Sequence, residues 1–218
     1  MKRIFDEAAN VILDEIIEAR RTIRAFAEES PPREAIEALI KAGLWAPYAA
    51  LAVAGESRFR RFFVFRRGTP ALDEAQVLIM GKMRRILDER AVARGTGPKP
   101  GDTNDAYMER IKSLAEKGHP SLRNAPYFIV VAEKHGIPPA ALQSLAHCLQ
   151  NMWLKATALG LAFQLISATE SMSEDPGFMR LLGLPAGRFL LDGCAVGFPA
   201  AVPALPARPD AADITTWL

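Results

Sequence analysis

Residues 18–26, which read EARRTIRAF, place three arginines and a threonine in a short stretch that follows a predicted helix. In an extended chain alternate side chains share a face, so Arg20, Thr22 and Arg24 point one way and Arg21 the other. Guanidinium groups offer paired donors to anionic oxygens and a hydroxyl adds a third, which suits one phosphate group. The same arginines could also cap the negative end of the helix and pair with nearby glutamates. The pattern alone favours this surface-charge interpretation and leaves the anion grip as the alternative.

The other reactive side chains do not form a catalytic or metal-binding pattern. His119, His135 and His147 lack the spacing of a metal site. Cys148 and Cys194 could act as thiol nucleophiles, but small buried hydrophobes are the usual explanation for isolated cysteines. We therefore predict neither a catalytic side chain nor a metal.

Arginines at positions 58, 60, 61, 66 and 67 flank the aromatic run RFFVF at 61–65. Basic and aromatic residues together are typical of nucleic-acid-binding surfaces. The formal net charge is only +2, so no chain-wide field favours such a partner. We interpret these arginines as a solvated strand edge, where charge discourages aggregation, and expect no nucleic-acid partner.

The composition predicts a soluble, cytoplasmic globular protein without a membrane partner. The chain has 218 residues, of which 50% are hydrophobic, enough to bury a substantial core. No uninterrupted apolar segment reaches transmembrane length, and Asp6 and Glu7 interrupt the apolar run that a signal peptide would need. Two cysteines are too few for a disulfide framework, which suits a reducing compartment.

Hydrophobic periodicity predicts helices and strands around these residues. Helices are predicted at 4–19, from Ser30 toward Pro47, at 72–94, 104–117 and 143–159, and after an N-cap at Ser173. Strands are predicted at 61–65, 127–132, 161–167 and 189–198, with a flexible connector at 95–101. Prolines beyond residue 198 favour an extended tail, whose terminal Trp217 and Leu218 we expect to dock on a surface, such as that of a partner subunit.

The order of the motifs resembles that of the FMN-dependent nitroreductase family. The matching segments are RRTIRAF at 20–26, LWAPY at 44–48, APYFIVVA at 125–132, QNMWLKATALGLAF at 150–163, LLGLP at 181–185, AVGFPA at 195–200 and a proline-rich tail that holds Arg208. Each motif alone is weak, and their order along nearly the whole chain is the evidence.

The resemblance implies a three-layer α+β sandwich with a central mixed or antiparallel β-sheet flanked by helices. It implies a single domain over 1–218, with a helical excursion at 72–118 and a tail at 199–218 that wraps the partner in a homodimer.

The resemblance also implies the cofactor and its contacts. Arg20, Thr22 and Arg24 would grip the phosphate of FMN, with Arg21 nearby and Arg208 arriving from the tail. The other cofactor-binding residues carried over are Pro47, Tyr48, Ser167 and Ala168, the last two presenting backbone near the reactive edge of the ring. NADH or NADPH would reduce FMN, and a nitroaromatic, a quinone or a similar electron-poor acceptor would then be reduced in a ping-pong reaction. The chemistry would lie on the cofactor, with no catalytic side chain.

The chain departs from the family pattern after its Ala-Pro dipeptide. Tyr48 stands where most relatives have serine, and the polar residues that usually follow are missing from the 48–57 loop. Tyr48 could stack on the ring, donate its hydroxyl or fill space in the loop. An alternative function is therefore open, that of a flavin-binding or flavin-sequestering relative without turnover.

Overall fold

The computed structural model describes residues 6–48, 56, 58–93 and 103–218. The helices are α1 (Glu7–Ala19), α2 (Arg33–Leu44), α3 (Pro70–Ala93), α4 (Thr103–Lys117), α5 (Pro120–Asn124), α6 (Ala141–Ala158), a 3₁₀ helix (Ser167–Met172), α7 (Pro176–Leu181) and α8 (Ala211–Ile214). The strands are β1 (Arg60–Arg66), β2 (Tyr127–Lys134), β3 (Ala162–Leu165) and β4 (Phe189–Gly197).

The four strands form one sheet in the order β1-β2-β4-β3. Every neighbouring pair is antiparallel, and the register joins Arg66 to Tyr127, Tyr127 to Val196 and Phe163 to Val196. Strand β2 is buried on both faces, as its unbroken apolar run YFIVVA requires. Within the described chain, β1 and β3 are the edges of the sheet.

Each face of the sheet is covered by a separate hydrophobic cluster. One face packs on α3, α5, α7 and the 3₁₀ helix through residues such as Phe128, Val130 and Leu191. The other packs on α2 and α6 through residues such as Ile129, Val131 and Phe163. Helix, sheet and helix make three layers, so the predicted α+β sandwich is confirmed and its sheet is antiparallel.

The predicted end of α6 at Gly160 is confirmed and has a local cause. Gly160 adopts a positive φ of 69°, which a residue without Cβ reaches at little cost. The amide of Leu161 then donates to Ala156 O at 2.8 Å, closing the last turn in the Schellman pattern. The chain enters β3 one residue later.

Two predicted local features are wrong. Asp175, not Ser173, caps α7, since its side chain accepts from the amide of Phe178. Ser173 instead closes the 3₁₀ helix, and its Oγ accepts from the amide of Leu191. Because the chain turns into the 3₁₀ helix at Ser167, β3 is also shorter than the predicted strand.

Arg60 corrects the interpretation of the basic residues around β1. Its guanidinium forms two hydrogen bonds with the carboxylate of Glu133, at 2.7 and 3.0 Å, and both side chains are at most 1% exposed. The strand is an edge of the sheet, as expected, but Arg60 is not on a solvated surface. Its charge is neutralised inside the protein.

Helix α1 and the C-terminal tail expose large apolar side chains. Helix α1 buries none of its residues. The exposed apolar residues of these two segments are Val11, Ile12, Leu13, Ile17, Val202, Leu205, Ile214, Trp217 and Leu218. Among the described residues, no helix combines the length and apolar character that crossing a membrane requires. The predictions for the 95–101 connector and for most of the 48–57 loop concern residues outside the described ranges.

Candidate functional site

The arginine stretch runs in extended conformation beside the edge strand β3. The amide of Ile23 donates to Phe163 O at 3.2 Å, and the amide of Ala27 donates to Phe198 O at 2.9 Å. Arg20 itself has an extended backbone, with φ −62° and ψ 126°. The extended backbone that the predicted alternation of side chains at residues 20–24 requires is therefore present.

The guanidinium of Arg20 is held in place by an aromatic ring. The centre of its guanidinium lies 4.7 Å from the centroid of the Trp153 ring, a cation–π contact. Its Nε is buried and has no hydrogen-bond partner in the described part of the chain. A buried donor without a partner is unfavourable in free energy, and an acceptor beside this atom would remove the penalty. An anionic group beside residues 20–24 would supply one.

Arg21 differs from Arg20 because its donors are already used. Its Nε donates to Ala19 O and its Nη1 donates to Pro203 O, both at 2.8 Å. Arg21 thus connects Pro203, at the start of the C-terminal tail, to the arginine stretch. Arg208, further along that tail, is exposed.

The two other members of the predicted grip differ in exposure, Thr22 being half-buried and Arg24 exposed. Arg24 lies close enough to the buried His119 to act on it. Burial is the main reason that the pKa of His119 falls from 6.5 to about 4, and the charges of Arg110 and then Arg24 lower it further. His119 is neutral at pH 7, and its Nδ1 accepts from the amide of Ser121 at 3.2 Å. The arginine stretch therefore borders a region of positive potential.

A cavity of about 450 Å³ lies between α3, α4 and the 3₁₀ helix. Its walls include Ser167 and Ala168, the residues predicted to lie at the reactive edge of a flavin. The remaining lining residues are Met83, Ile86, Tyr107, Arg110, Ile111, Leu114, Glu170 and Ser171. Its size is that of a small-molecule site, and its apolar lining with a few polar groups suits a flat organic ligand.

A larger cavity, of about 620 Å³, opens between α2 and β1. It is lined by residues such as Pro32, Ile36, Val64 and Tyr127, and by none of the predicted site residues. We take the smaller cavity as the candidate site because it is lined by the predicted contacts Ser167 and Ala168 and by Arg110, which acts on the same His119 as Arg24.

Pro47 and Tyr48 lie at the other end of the sheet. The hydroxyl of Tyr48 donates to Lys134 O at 2.6 Å, and its ring packs on Phe59 with centroids 4.5 Å apart. Lys134 ends β2, whereas the arginine stretch lies level with Tyr127, where β2 begins. At about 3.3 Å per residue the two ends are separated by roughly 23 Å. One chain alone does not bring Tyr48 to the arginines.

The sequence interpretation did not identify Trp153, His119 or Arg110 as site residues. Trp153 reads as one of the apolar positions of α6, and no local pattern places it against Arg20. His119 was considered only as a metal ligand. Arg110 falls in a polar stretch of α4 that resembles any solvated helix.

An antiparallel sheet in the order β1-β2-β4-β3 with helices on both faces defines a three-layer α+β class of protein. Residues 17–198 match the Nitroreductase family, and the chain belongs to that family. No curated protein matches the sequence significantly.

Solved structures share the fold at low sequence identity. A nitroreductase with bound FMN from Bacteroides fragilis is 21% identical, with a TM-score of 0.70 over 98% of this chain and 100% of that one. A flavoprotein described as BluB-like, from Clostridium difficile, is 20% identical, with a TM-score of 0.69 over 94% and 98% of the two chains. An iodotyrosine deiodinase bound to FMN and 3-iodo-L-tyrosine is 19% identical, with a TM-score of 0.62 over 94% and 98%. The fold is thus shared by FMN-bound proteins of more than one activity.

Proposed function

We propose that the protein is an FMN-dependent oxidoreductase that uses NADH or NADPH to reduce nitroaromatic, quinone or similar electron-poor acceptors. The observation that carries the proposal is the buried Nε of Arg20, which has no hydrogen-bond partner among the described residues and lies in the RRTIRAF stretch, within the residues 17–198 that match the family. The bound FMN of the Bacteroides fragilis relative supports the choice of cofactor. FMN, when bound, supplies the redox chemistry by taking electrons from the nicotinamide and delivering them to the acceptor.

The residues around Arg20 fit the phosphate of such a cofactor. Arg20 and Arg24 provide two cations and Thr22 a hydroxyl, which together match the oxygens of one phosphate. Arg21 contributes indirectly, by fixing the first segment and the tail to each other. We propose that Arg208, which is exposed on the tail, contributes a further cation to this phosphate site.

The cavity beside the 3₁₀ helix is the proposed acceptor site. Ser167 and Ala168 form the wall at which the reactive edge of the cofactor would lie. Met83, Ile86 and Leu114 exclude water from the opposite side and suit a flat aromatic acceptor. Arg110 and Glu170 place one positive and one negative charge in the lining, so the cavity suits an acceptor with polar substituents without requiring an anionic one.

A homodimer would complete the site. Because Tyr48 and the arginine stretch lie at opposite ends of β2, we propose that Pro47 and Tyr48 of one copy reach the grip of the other. The exposed apolar side chains of α1 and the tail, Trp217 among them, provide the surface for this association. Sedimentation analysis should give twice the chain mass, and a monomer that still binds FMN would contradict the proposal.

We also place the protein in the cytoplasm. Cys148 and Cys194 are free and buried, and reducing conditions preserve such thiols.

Absorption spectroscopy tests the proposed activity. The purified protein, reconstituted with FMN under nitrogen, should show a bound flavin band that bleaches on addition of NADH or NADPH. A quinone should then restore the band. A band that persists with both nicotinamides would instead support the flavin-sequestering function, which the substitution of Tyr48 for serine leaves open. Failure to bind FMN at all would remove both functions.

A further inference from the structure

We propose that Trp153 is a positioning residue for the phosphate grip, holding Arg20 and the backbone of residues 21–23 in the geometry that receives an anion. The inference rests on the proposed function. It extends that function to a residue of α6 whose side chain carries no charge.

The first contact is with the guanidinium of Arg20. The buried indole ring lies 4.7 Å from it, so the cation is fixed over an apolar surface. A cation–π contact does not require any of the guanidinium N–H groups to donate to an oxygen acceptor. This explains how Arg20 can be ordered while its Nε has no partner among the described residues.

Two further contacts fix the backbone on either side of Thr22. The indole Nε1 donates to Arg21 O at 3.3 Å. The ring also stacks on Phe163, with centroids 5.2 Å apart and planes inclined by 21°. Phe163 O in turn accepts from the amide of Ile23. Trp153 therefore supports the arginine stretch at Arg20 and Arg21 directly, and at Ile23 through Phe163.

The consequence is preorganisation of the grip. A free arginine samples many rotamers and loses them when it binds an anion. An arginine already stacked in place loses fewer, so more of the contact energy appears as affinity. Removal of the ring should weaken the binding of a phosphorylated ligand more than that of its unphosphorylated analogue.

The test compares FMN with riboflavin, which lacks the phosphate, in binding titrations followed by flavin fluorescence. Trp153→Leu should lower the ratio of FMN to riboflavin affinity by about tenfold, as expected for loss of a partly buried cation–π support. Trp153→Phe keeps an aromatic face but loses the N–H donor, so it should lose only part of the preference. In an Arg20→Gln background, Trp153→Leu should lower the ratio by less than it does in the wild type, because only its contacts with residues 21–23 remain to be lost.

A structural control is available in the same helix. Leu145 is buried in the core that α6 shares with the sheet, so Leu145→Ala should lower the thermal midpoint and leave the FMN to riboflavin ratio unchanged. Equal losses for both flavins in the Trp153 variants, or an unaltered ratio in both, would overturn the inference. If Trp153→Leu does not fold, Trp153→Phe decides. A wild-type protein that binds FMN no better than riboflavin would instead overturn the proposed phosphate grip, and this inference with it.

Discussion

Arg60 and Arg20 lie near opposite edges of the same sheet and use the same functional group in different ways. Arg60 pairs with Glu133 and donates to the carbonyls of Gly43 and Ala46 as well, at 2.8 and 3.1 Å. Arg20 lies over an indole ring and keeps a buried donor without a partner in the described chain. The protein itself supplies hydrogen-bond acceptors for the guanidinium of Arg60, whereas the Nε of Arg20 has no acceptor among the described residues.

This difference distinguishes an arginine that stabilises the fold from one that we propose binds a ligand. A buried cation is tolerated when its charge and its donors are all matched, because the lost hydration is then replaced. Arg60 meets that condition, and it ties the end of α2, next to Pro47 and Tyr48, to the sheet. Arg20 does not meet it, so the fold retains an unfavourable donor that a ligand would relieve. The comparison can be tested at both arginines.

The largest effect is expected from breaking the buried pair. Arg60→Met should lower the free energy of unfolding by about 3–5 kcal/mol, because it leaves the buried carboxylate of Glu133 without its partner. The pKa of Glu133 is already raised by burial despite the neighbouring guanidinium, which shows that the site opposes an isolated charge. Urea unfolding, at one fixed protein concentration, measures the change.

A surface pair provides the matched control. Arg33 and Glu37 form an i, i+4 ion pair at 2.7 Å with both side chains well exposed. Arg33→Met should leave the unfolding midpoint nearly unchanged, since solvent screens such pairs. Similar losses in the two variants would mean that Arg60 has no special structural role.

The next effect is on ligand binding. Arg20→Gln should weaken FMN binding by about ten- to a hundredfold, equivalent to roughly 1.5–3 kcal/mol for one charge-assisted contact. Stability without ligand should change by no more than about 1 kcal/mol, since the substitution removes the cation–π contact with Trp153 but the Nε of Arg20 has no hydrogen-bond partner among the described residues. Calorimetric titration gives the first quantity and thermal melting the second. A loss of stability comparable to that of Arg60→Met would erase the distinction between the two arginines.

Sequence patterns inform us differently about these two arginines, for a physical reason. The alternation of Arg20, Thr22 and Arg24 depends on local backbone geometry, and the extended backbone that it requires is present at Arg20, while the role of these residues in binding stays a prediction. The partner of Arg60 is Glu133, which the fold brings into register from a distant strand. Likewise, Trp153 is an apolar position of α6 until the chain places it under Arg20.

Helix ends show the same limit at shorter range. The stop at Gly160 was predictable because only one residue there suits a positive φ. Ser173 and Asp175 are both good caps two residues apart, and packing of the 3₁₀ helix on β4 decides between them. Local signals thus located the elements, while long-range contacts set the caps and the partners of charged groups.

A smaller effect is expected at Tyr48, whose hydroxyl, like the guanidinium of Arg60, already donates to the protein. Tyr48→Phe should lower the free energy of unfolding by about 0.5–1.5 kcal/mol, since it removes the donor to Lys134 O. Because that bond already uses the hydroxyl, FMN affinity should stay within about twofold of wild type. A tenfold loss of FMN affinity without a change in stability would show that the hydroxyl serves the ligand.

The smallest expected effect also concerns the ligand site. It is the change in the pKa of His119 when the charge at the proposed phosphate grip changes. Its pKa is lowered from 6.5 to about 4, first by burial and then by Arg110 and Arg24. Arg24→Gln should therefore raise this pKa by a fraction of a unit, and addition of FMN to the wild type should do the same, because the phosphate offsets the positive field. Titration of the His119 ring signals by NMR measures both shifts, with the exposed Arg188→Gln as the control.

The sign of the pH dependence follows from the same values. The unfolded chain binds a proton at His119 more tightly than the folded one, so the free energy of unfolding should fall as the pH falls from about 6.5 to about 4. His119→Asn removes this titration and keeps an acceptor for the amide of Ser121, so its stability should decline less over that interval. If neither Arg24→Gln nor FMN changes the pKa of His119, the positive region around His119 is not part of the ligand site. Arg24, like Arg60, would then have no role in ligand binding.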